Sequence, residues 1–183
     1  GGNKRAMKVL ITGASSGIGR DMAREFAERK YDLVLVARDE KRLNELKTEL
    51  EVKYNINVKI IVKDLSDEEN CINLYEENKD IDILVNNAGF GVFGDFTKTD
   101  LQKELNLIKT NITAVHILTK LFLKDMVSKN SGYILNVASI AGHLPGPLMA
   151  TYYASKHYVY TLSTSINEEL KKDKLNVRVG TLN

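Results

Sequence analysis

Short apolar segments alternate along the chain with longer segments of helical period. Apolar runs of strand length predict β-strands, and apolar residues that recur every three or four positions predict helices. The predicted strands are 7–12, 33–37, 58–62, 81–85, 133–138 and 176–179. The predicted helices are 17–29, 39–53, 67–78, 101–129 (two helices or one long bent helix) and 149–172, and Ser66 is the expected N-cap of the third. Strands that alternate with helices indicate parallel βαβ units, so we predict an α/β fold with a doubly wound parallel sheet and helices on both faces.

Length and composition indicate one domain. A chain of 183 residues is long enough for one core and short for two. Its formal net charge of +2 is spread along the chain, which argues against a nucleic-acid-binding protein. No apolar run reaches the roughly 20 residues of a membrane span, and the three histidines show no metal-ligand spacing. We expect a cytoplasmic protein that binds no nucleic acid, membrane or metal.

The first residues are expected to be a tail. Gly1 and Gly2 resemble a cloning remnant, and a plausible native start lies at Met7, directly before the first strand. We therefore predict a tail over 1–6 and a domain over 7–183.

A glycine-rich turn joins the first strand to the first helix and reads Thr-Gly-Ala-Ser-Ser-Gly-Ile-Gly at 12–19. Gly13 can make the tight turn, Gly17 lets the backbone approach a pyrophosphate, and Gly19 permits close packing of helix on strand. The N-terminus of the helix would present its N–H groups to the phosphates. The alternative is an ordinary turn, but the glycine positions favour a dinucleotide site, formed by Gly13, Ser15, Ser16, Gly17, Ile18 and Gly19.

The Gly-x3-Gly-x-Gly spacing after Thr12 resembles that of classical short-chain dehydrogenases/reductases, and the resemblance extends through almost the whole chain. The segment Asn-Asn-Ala-Gly at 86–89 is similar to the family signature after the fourth strand, although it could also form an ordinary turn. The resemblance implies a Rossmann-type sheet that binds a nicotinamide cofactor. It also implies that Asn87, Ala88 and Gly89 border that cofactor.

The end of the second strand predicts which cofactor binds. An NAD site places an acid there, whereas this chain has Ala37 followed by Arg38, which could pair with the 2′-phosphate of NADP(H). The alternative is that Arg38 pairs with Asp39 or Glu40 on the surface. By resemblance, Asp64 and Leu65 border the adenine, although Asp64 could equally cap the following helix.

Tyr152 and Lys156 are four positions apart on the last predicted helix, so both project from one face. A nearby ammonium favours the phenolate, so Lys156 is expected to lower the Tyr152 pKa. Tyr-x3-Lys by itself is common on amphipathic helices. Tyr153, three positions from Lys156, is the rival to Tyr152, and the family pattern requires four.

The resemblance also implies a catalytic set of Asn111, Ser139, Tyr152 and Lys156. Ser139 follows the fifth strand, where its hydroxyl could hydrogen-bond a substrate oxygen. In the family, the residue that matches Asn111 holds a water of a proton relay, and the lysine also binds the nicotinamide ribose. The expected reaction is NADPH-dependent reduction of a small-molecule carbonyl, or the reverse alcohol oxidation, in a homodimer or homotetramer.

The resemblance fails at the C-terminus. Family members continue after the sixth strand with a Pro-Gly turn and a segment that covers the substrate, and this chain has neither. The domain is therefore expected to lack the lid region, because the chain is truncated or because its last four residues belong to a later segment. The loop 144–149 is expected to supply an apolar wall to the substrate site.

Two other functions compete with the reductase. A non-catalytic NADP(H)-binding or redox-sensing protein could use the same fold, but it has no need for Ser139, Tyr152 and Lys156 together. An epimerase or dehydratase of the extended family also uses Tyr-x3-Lys, but the glycine spacing and the short chain argue against it.

Overall fold

The computed structural model describes residues 6–138 and 149–182. Over these residues the strands are β1 (Lys8–Thr12), β2 (Asp32–Ala37), β3 (Val58–Val62), β4 (Ile83–Asn86), β5 (Gly132–Val137) and β6 (Val177–Leu182). The α-helices are α1 (Gly17–Glu28), α2 (Glu40–Tyr54), α3 (Glu68–Glu76), α4 (Leu101–Ile108), α5 (Ala114–Lys129) and α6 (Ala150–Lys172). A π-helical segment, Lys109–Thr113, joins α4 to α5.

The strands form one parallel sheet in the order β3-β2-β1-β4-β5-β6. The chain first builds outward from β1 through β2 to β3, then crosses back to place β4 on the other side of β1. The strand order therefore reverses between β1 and β4, and ligands of such sheets bind beyond the carboxyl ends of the strands at this point. The predicted doubly wound α/β sheet is confirmed.

Helices cover both faces of the sheet because each inner strand carries apolar residues on both sides. Val9 and Ile11 of β1 face a core that also contains buried residues of α1 and α2. Leu10 faces the opposite core, which contains buried residues of α3, α5 and α6. The largest side chain of that second core is Phe122, which is 2% exposed and packs edge-to-face on Tyr75 with a centroid distance of 5.2 Å.

The start of α3 differs from the prediction. Asp67, and not Ser66, is the N-cap, and its carboxylate accepts hydrogen bonds from the N–H groups of Glu69 at 2.9 Å and Asn70 at 3.3 Å. A carboxylate can serve two N–H groups of the first turn and its charge is favourable at the helix N-terminus, so the helix begins one residue later than predicted. Asp64 accepts instead from the N–H of Ser66.

The last strand also differs from the prediction, which ended it at Val179. β6 continues through Gly180 to Leu182 and stays in register with β5, with Val137 opposite Leu182. Gly180 lies opposite Leu135, and a Cβ at this position would overlap the hydroxyl of Tyr133. Residues 180–182 thus belong to the sheet.

The long predicted helix over 101–129 is a single helical run that is interrupted by the π segment at 109–113. The strand predicted over 81–85 lies at Ile83–Asn86 instead. Asp82, just before β4, accepts a hydrogen bond from the main-chain N–H of Lys8, so its side chain anchors the start of β1. The other predicted elements have their bounds within two residues of those observed, the usual uncertainty at element ends.

Candidate cofactor and catalytic site

A cleft of about 580 Å³ opens where β1, β2 and β4 end and α6 begins. Most residues predicted to bind a cofactor line it, namely Gly13, Ser15, Ser16, Ile18, Arg38, Asp64, Leu65, Asn87, Ala88, Gly89, Tyr152 and Lys156. Gly17, Gly19 and Asn111 do not line it, and Ser139 lies outside the described residues. The sheet thus brings together residues that are up to 143 positions apart, from Gly13 to Lys156.

Close contacts explain two of the three glycines in the glycine-rich turn, and the third has a left-handed backbone with open space beside it. Gly13 has a φ of +62°, and a Cβ there would lie 2.9 Å from the carbonyl oxygen of Asn87. A Cβ on Gly19 would overlap the carbonyl oxygen of Gly13, so only glycine lets α1 start this close to the turn. Gly17 has a φ of +54°, but no atom lies within 4 Å of a Cβ built there.

The open space at Gly17 meets the requirements of a pyrophosphate. The Ser16 side chain makes no capping hydrogen bond to α1, and the first turn of α1 contains no acidic residue. The N–H groups and the positive end of the helix dipole are therefore available to an anion that approaches Gly17. The residues of this turn fit the phosphates of a dinucleotide.

Thr12, the last residue of β1, joins the turn to the segment after β4. Its buried hydroxyl oxygen accepts hydrogen bonds from the main-chain N–H groups of Asn87 at 2.9 Å and Ala88 at 3.0 Å. The side-chain amide of Asn87 in turn donates to the carbonyl oxygen of Gly13 at 3.1 Å. These bonds hold the two sides of the cleft at a set separation.

Basic side chains gather where β2 and β3 end. Arg38, Arg42 and Lys63 line the cleft there, and sequence reasoning missed the last two. Arg42 lies in the first turn of α2, which follows β2, and Lys63 directly follows β3, so their positions near the carboxyl ends of neighbouring strands were the available signal. Arg42 forms an ion pair with Asp39 at 3.4 Å and Lys63 forms one with Glu77 at 3.6 Å.

Arg38 does not form the surface ion pair that was its alternative role. Within the part of the chain that the structure describes, no carboxylate lies within 4.0 Å of its guanidinium, and Asp39 serves Arg42 instead. Arg38 contributes to a lowered pKa of Asp64, although the main cause is the hydrogen bond from the Ser66 backbone. Asp64 does not cap α3, which uses Asp67.

Tyr152 and Lys156 share one wall of the cleft, on the first turns of α6. Lys156 is 7% exposed, its ammonium donates to the carbonyl oxygen of Val137 at 3.2 Å, and it lies 5.6 Å from the centroid of the Tyr152 ring. Burial lowers the pKa of Lys156, because the charged form loses hydration. The pair is thus assembled in the cleft, with the lysine held by β5.

The predicted lowering of the Tyr152 pKa by Lys156 is wrong for this arrangement. The pKa of Tyr152 is raised, mainly by burial and then by the neighbouring Tyr153. The ammonium lies near the ring and is held by Val137, so the loss of hydration around the phenol outweighs any stabilisation of the phenolate. Tyr152 is therefore protonated near neutral pH.

Asn111 lies behind the cleft, in the π-helical segment. Its buried side-chain amide accepts from the main-chain N–H of Phe90 at 3.1 Å and donates to the Phe90 carbonyl oxygen at 2.9 Å. The same amide donates to the Ser155 hydroxyl on α6 at 3.4 Å. Asn111 thus ties the segment after β4 to α6, and its role in a proton relay stays a prediction.

A network of buried polar side chains connects β4, β5, α5 and α6 next to the cleft. Asn136 of β5 donates to the hydroxyl of Ser163 on α6 at 2.9 Å and accepts from the amide of Asn86 on β4 at 2.8 Å. Thr119 of α5 accepts from both asparagines. Hydrogen-bonded groups in a core fix the relative positions of the elements that carry them, so this network orients α6 relative to β4.

Apolar residues cover the rest of the wall near Tyr152. Phe90, Val137 and Met149 line the cleft, and the first two had not been assigned to it from the sequence. Met149 belongs to the predicted apolar wall, whereas 144–148 lie outside the described residues. Over residues 6–138 and 149–182, no cluster of three His, Cys, Asp or Glu forms a metal site, and no helix is long and apolar enough to cross a membrane.

The sequence profile of the short chain dehydrogenase family matches residues 7–183. The chain belongs to this family. Among relatives, a very-long-chain 3-oxoacyl-CoA reductase from Pyrenophora tritici-repentis is 36% identical over 176 residues, which are 91% of this chain and 51% of that reductase. The chain spans about half the length of the curated relatives it matches.

Solved short-chain dehydrogenases have the same fold. The enzyme from Sphingobium yanoikuyae in complex with NADPH has a TM-score of 0.86 and 35% identity, over 97% of this chain and 71% of that chain. A metagenomic short-chain oxidoreductase in complex with NADP also has a TM-score of 0.86, with 32% identity over 96% of this chain and 79% of that chain. The family membership and the fold expected from the sequence are confirmed.

We expect Thr12→Val to destabilise this short-chain dehydrogenase by about 2–3 kcal/mol, since two main-chain N–H groups lose their acceptor. Thr12→Ser keeps the hydroxyl and should cost about 1 kcal/mol, for one buried methyl group. Urea unfolding of both variants measures the difference. Equal stability of the two variants would show that the hydroxyl does not hold the cleft together.

Proposed function

We propose that this protein transfers a hydride between NADP(H) and a carbonyl/alcohol pair, with Tyr152 as the general acid/base. The observation that carries the proposal is the position of Tyr152 and Lys156 in the same cleft as the glycine-rich turn of 12–19. A protein that only bound or sensed a nucleotide would need the turn but not a buried lysine beside a tyrosine. Membership of an oxidoreductase family supports the same reading.

The chemistry divides between cofactor and protein. NADPH, when bound, supplies the hydride to the carbonyl carbon. Tyr152 donates its phenolic proton to the carbonyl oxygen, and its raised pKa keeps that proton available near neutral pH. The Lys156 ammonium, held by the Val137 carbonyl and 5.6 Å from the centroid of the Tyr152 ring, would bind the nicotinamide ribose, as the resemblance implies. In the reverse direction the phenolate accepts the alcohol proton.

Ser139 and Asn111 complete the proposed set. Ser139 follows Ala138 at the end of β5, two residues beyond Val137 of the cleft wall, and would hydrogen-bond the substrate oxygen. Asn111 would hold the water of the proton relay, as the resemblance implies. The 86–89 segment, Asp64 and Leu65 would border the cofactor.

Arg38 would select NADP(H) over NAD(H). Its guanidinium is exposed at the rim of the cleft, beyond 4.0 Å from any described carboxylate, and Arg42 and Lys63 add positive charge on the same side. A phosphate there would be favoured by charge-assisted hydrogen bonds. The relatives solved with NADPH and NADP support this choice.

For the substrate we propose a 3-oxoacyl thioester. The relatives named very-long-chain 3-oxoacyl-CoA reductases are 32–36% identical to this chain. The apolar side chains of Phe90, Val137 and Met149 beside Tyr152 suit an acyl chain that leads away from a reactive carbonyl. A simple ketone is the alternative carbonyl substrate, and the experiment below compares the two.

The homodimer or homotetramer also stays a proposal. A groove between α5 and α6 is lined by Leu123, Val127, Leu162 and Ile166, and apolar residues of this kind are buried when helices of two subunits pack together. The cytoplasmic location stays a prediction.

Tyr152→Phe should lower kcat for reduction of 3-oxoacyl-CoA substrates by about a hundredfold to ten-thousandfold, because the proton donor is removed. The NADPH dissociation constant should change little, since the ring remains. Tyr153→Phe is the matched control and should retain turnover. Absorbance of NADPH at several acyl chain lengths, and with simple ketones, gives kcat and KM. Undiminished turnover in Tyr152→Phe would overturn the catalytic assignment.

Arg38→Ala should reduce the preference for NADPH over NADH by about tenfold to a hundredfold, because one charge-assisted bond of about 1.5–3 kcal/mol is lost. Arg24→Ala is the control, because Arg24 pairs with Glu49 on the surface and does not line the cleft. Dissociation constants for both cofactors measure the effect. An unchanged preference in Arg38→Ala would show that another group reads the phosphate.

A further inference from the structure

Glu104 is a buried carboxylate that the proposed chemistry does not use. It lies on α4 and is 7% exposed, and it and Lys156 are the charged residues that are buried within the described parts of the chain. No Lys, Arg or His of those parts lies within 4.0 Å of its carboxylate. Burial of a carboxylate without a counterion is unfavourable unless hydrogen bonds satisfy its oxygens. The hydrogen-bond partners of Glu104 therefore indicate its role.

Each oxygen of the Glu104 carboxylate accepts a hydrogen bond from one threonine hydroxyl. Thr99, just before α4, donates to one oxygen at 2.8 Å. Thr151, in the first turn of α6, donates to the other at 3.2 Å. Thr151 directly precedes Tyr152, so the carboxylate joins the start of α4 to the turn that carries the proposed proton donor.

The first turn of α6 has few other restraints in the described residues. Its N-cap residue, Met149, makes no side-chain capping hydrogen bond, and no acidic residue lies in the turn. Glu104 brings a negative charge to this helix N-terminus from a neighbouring helix, where the helix dipole favours it. The carboxylate reaches this turn through the Thr151 hydroxyl.

Hydrogen bonds restrain α6 on both sides of Tyr152, at Ser155 and Lys156 after it and at Thr151 before it. Lys156 is held one turn later by the carbonyl of Val137, and Ser155 is held by Asn111 from the π segment. The Ser155 hydroxyl also donates to the main-chain carbonyl oxygen of Tyr152 at 2.7 Å. On the N-terminal side, the bond between Glu104 and Thr151 is the corresponding restraint.

We propose that Glu104 is a positioning residue for Tyr152. Through Thr151 it holds the first turn of α6 against α4 and so sets the place of the Tyr152 ring relative to the Lys156 ammonium. This inference rests on the proposed function, since its effect on turnover requires Tyr152 to be the proton donor.

The two threonines provide a matched test. Thr151→Val and Thr99→Val each remove one hydroxyl donor from the same carboxylate with nearly the same shape, but only Thr151 is on α6. Thr151→Val should lower kcat by tenfold to a hundredfold, as expected when a catalytic group moves by about 1 Å, while KM for NADPH stays within twofold. Thr99→Val should retain kcat within twofold, and Thr151→Ser, which keeps the hydroxyl, should restore it.

A second readout does not depend on turnover. In the chain labelled with 13C-tyrosine, the Tyr152 resonance, assigned by its loss in Tyr152→Phe, should shift or broaden in Thr151→Val and Glu104→Gln but not in Thr99→Val. The pH at which it titrates should move in the same two variants. A merely structural carboxylate would change thermal stability in both threonine variants and leave this resonance alone.

The outcomes separate the two proposals. Equal kcat in Thr151→Val and Thr99→Val, or an unmoved Tyr152 resonance in Thr151→Val, would overturn the role of Glu104. If Tyr152→Phe keeps full turnover, the proposed function fails, and the resonance still decides whether Glu104 positions the ring. A shifted resonance with lowered kcat in Thr151→Val, rescued by Thr151→Ser, supports the inference.

Discussion

The parallel pairing of β1 with β4 determines where the functional side chains of this protein can lie. Val9, Leu10 and Ile11 pair with Ile83, Leu84 and Val85, so both strands end at the same edge of the sheet. The turns that follow them must therefore meet, and the Thr12 hydroxyl joins them through the N–H groups of Asn87 and Ala88. If this register slipped by one residue, the apolar faces of β1 would exchange and the cleft would not form.

The cleft contains two ionisable residues, Tyr152 and Lys156, in partly or fully buried positions. Lys156 is buried and its pKa is lowered, and Tyr152 is partly buried and its pKa is raised, because burial makes the charged form of each group less favourable than it is in water. Folding alone would gain from apolar residues at both positions, because burial of charge is unfavourable. We attribute their presence beside the glycine-rich turn to the proposed proton transfer in the cleft. Glu104 is also buried, and one of its two hydrogen-bond partners, Thr151, directly precedes Tyr152.

Much of this architecture could be predicted from the sequence, because its signals are local. Continuous apolar strands predicted a parallel sheet, and the glycine spacing predicted the turn at 12–19. The four-residue spacing of Tyr152 and Lys156 predicted a shared helix face. The N-cap of α3 differs for a local reason, whereas other differences arise from contacts between residues far apart in the chain. β6 continues past Val179 because its residues pair with β5 as far as Leu182, and the Tyr152 pKa is raised because surrounding elements bury the phenol. Glu104 could not be recognised either, since its partner Thr151 is 47 positions away.

The central claim is that one cofactor binds with its pyrophosphate at the glycine-rich turn and its nicotinamide at the Tyr152–Lys156 pair. A crystal structure of the full chain in complex with NADPH tests it most directly. The account predicts the pyrophosphate on the turn at 12–19, the 2′-phosphate at Arg38, and the nicotinamide ring beside Tyr152 with its ribose at Lys156. A cofactor bound with its nicotinamide away from Tyr152 and Lys156 would contradict the account.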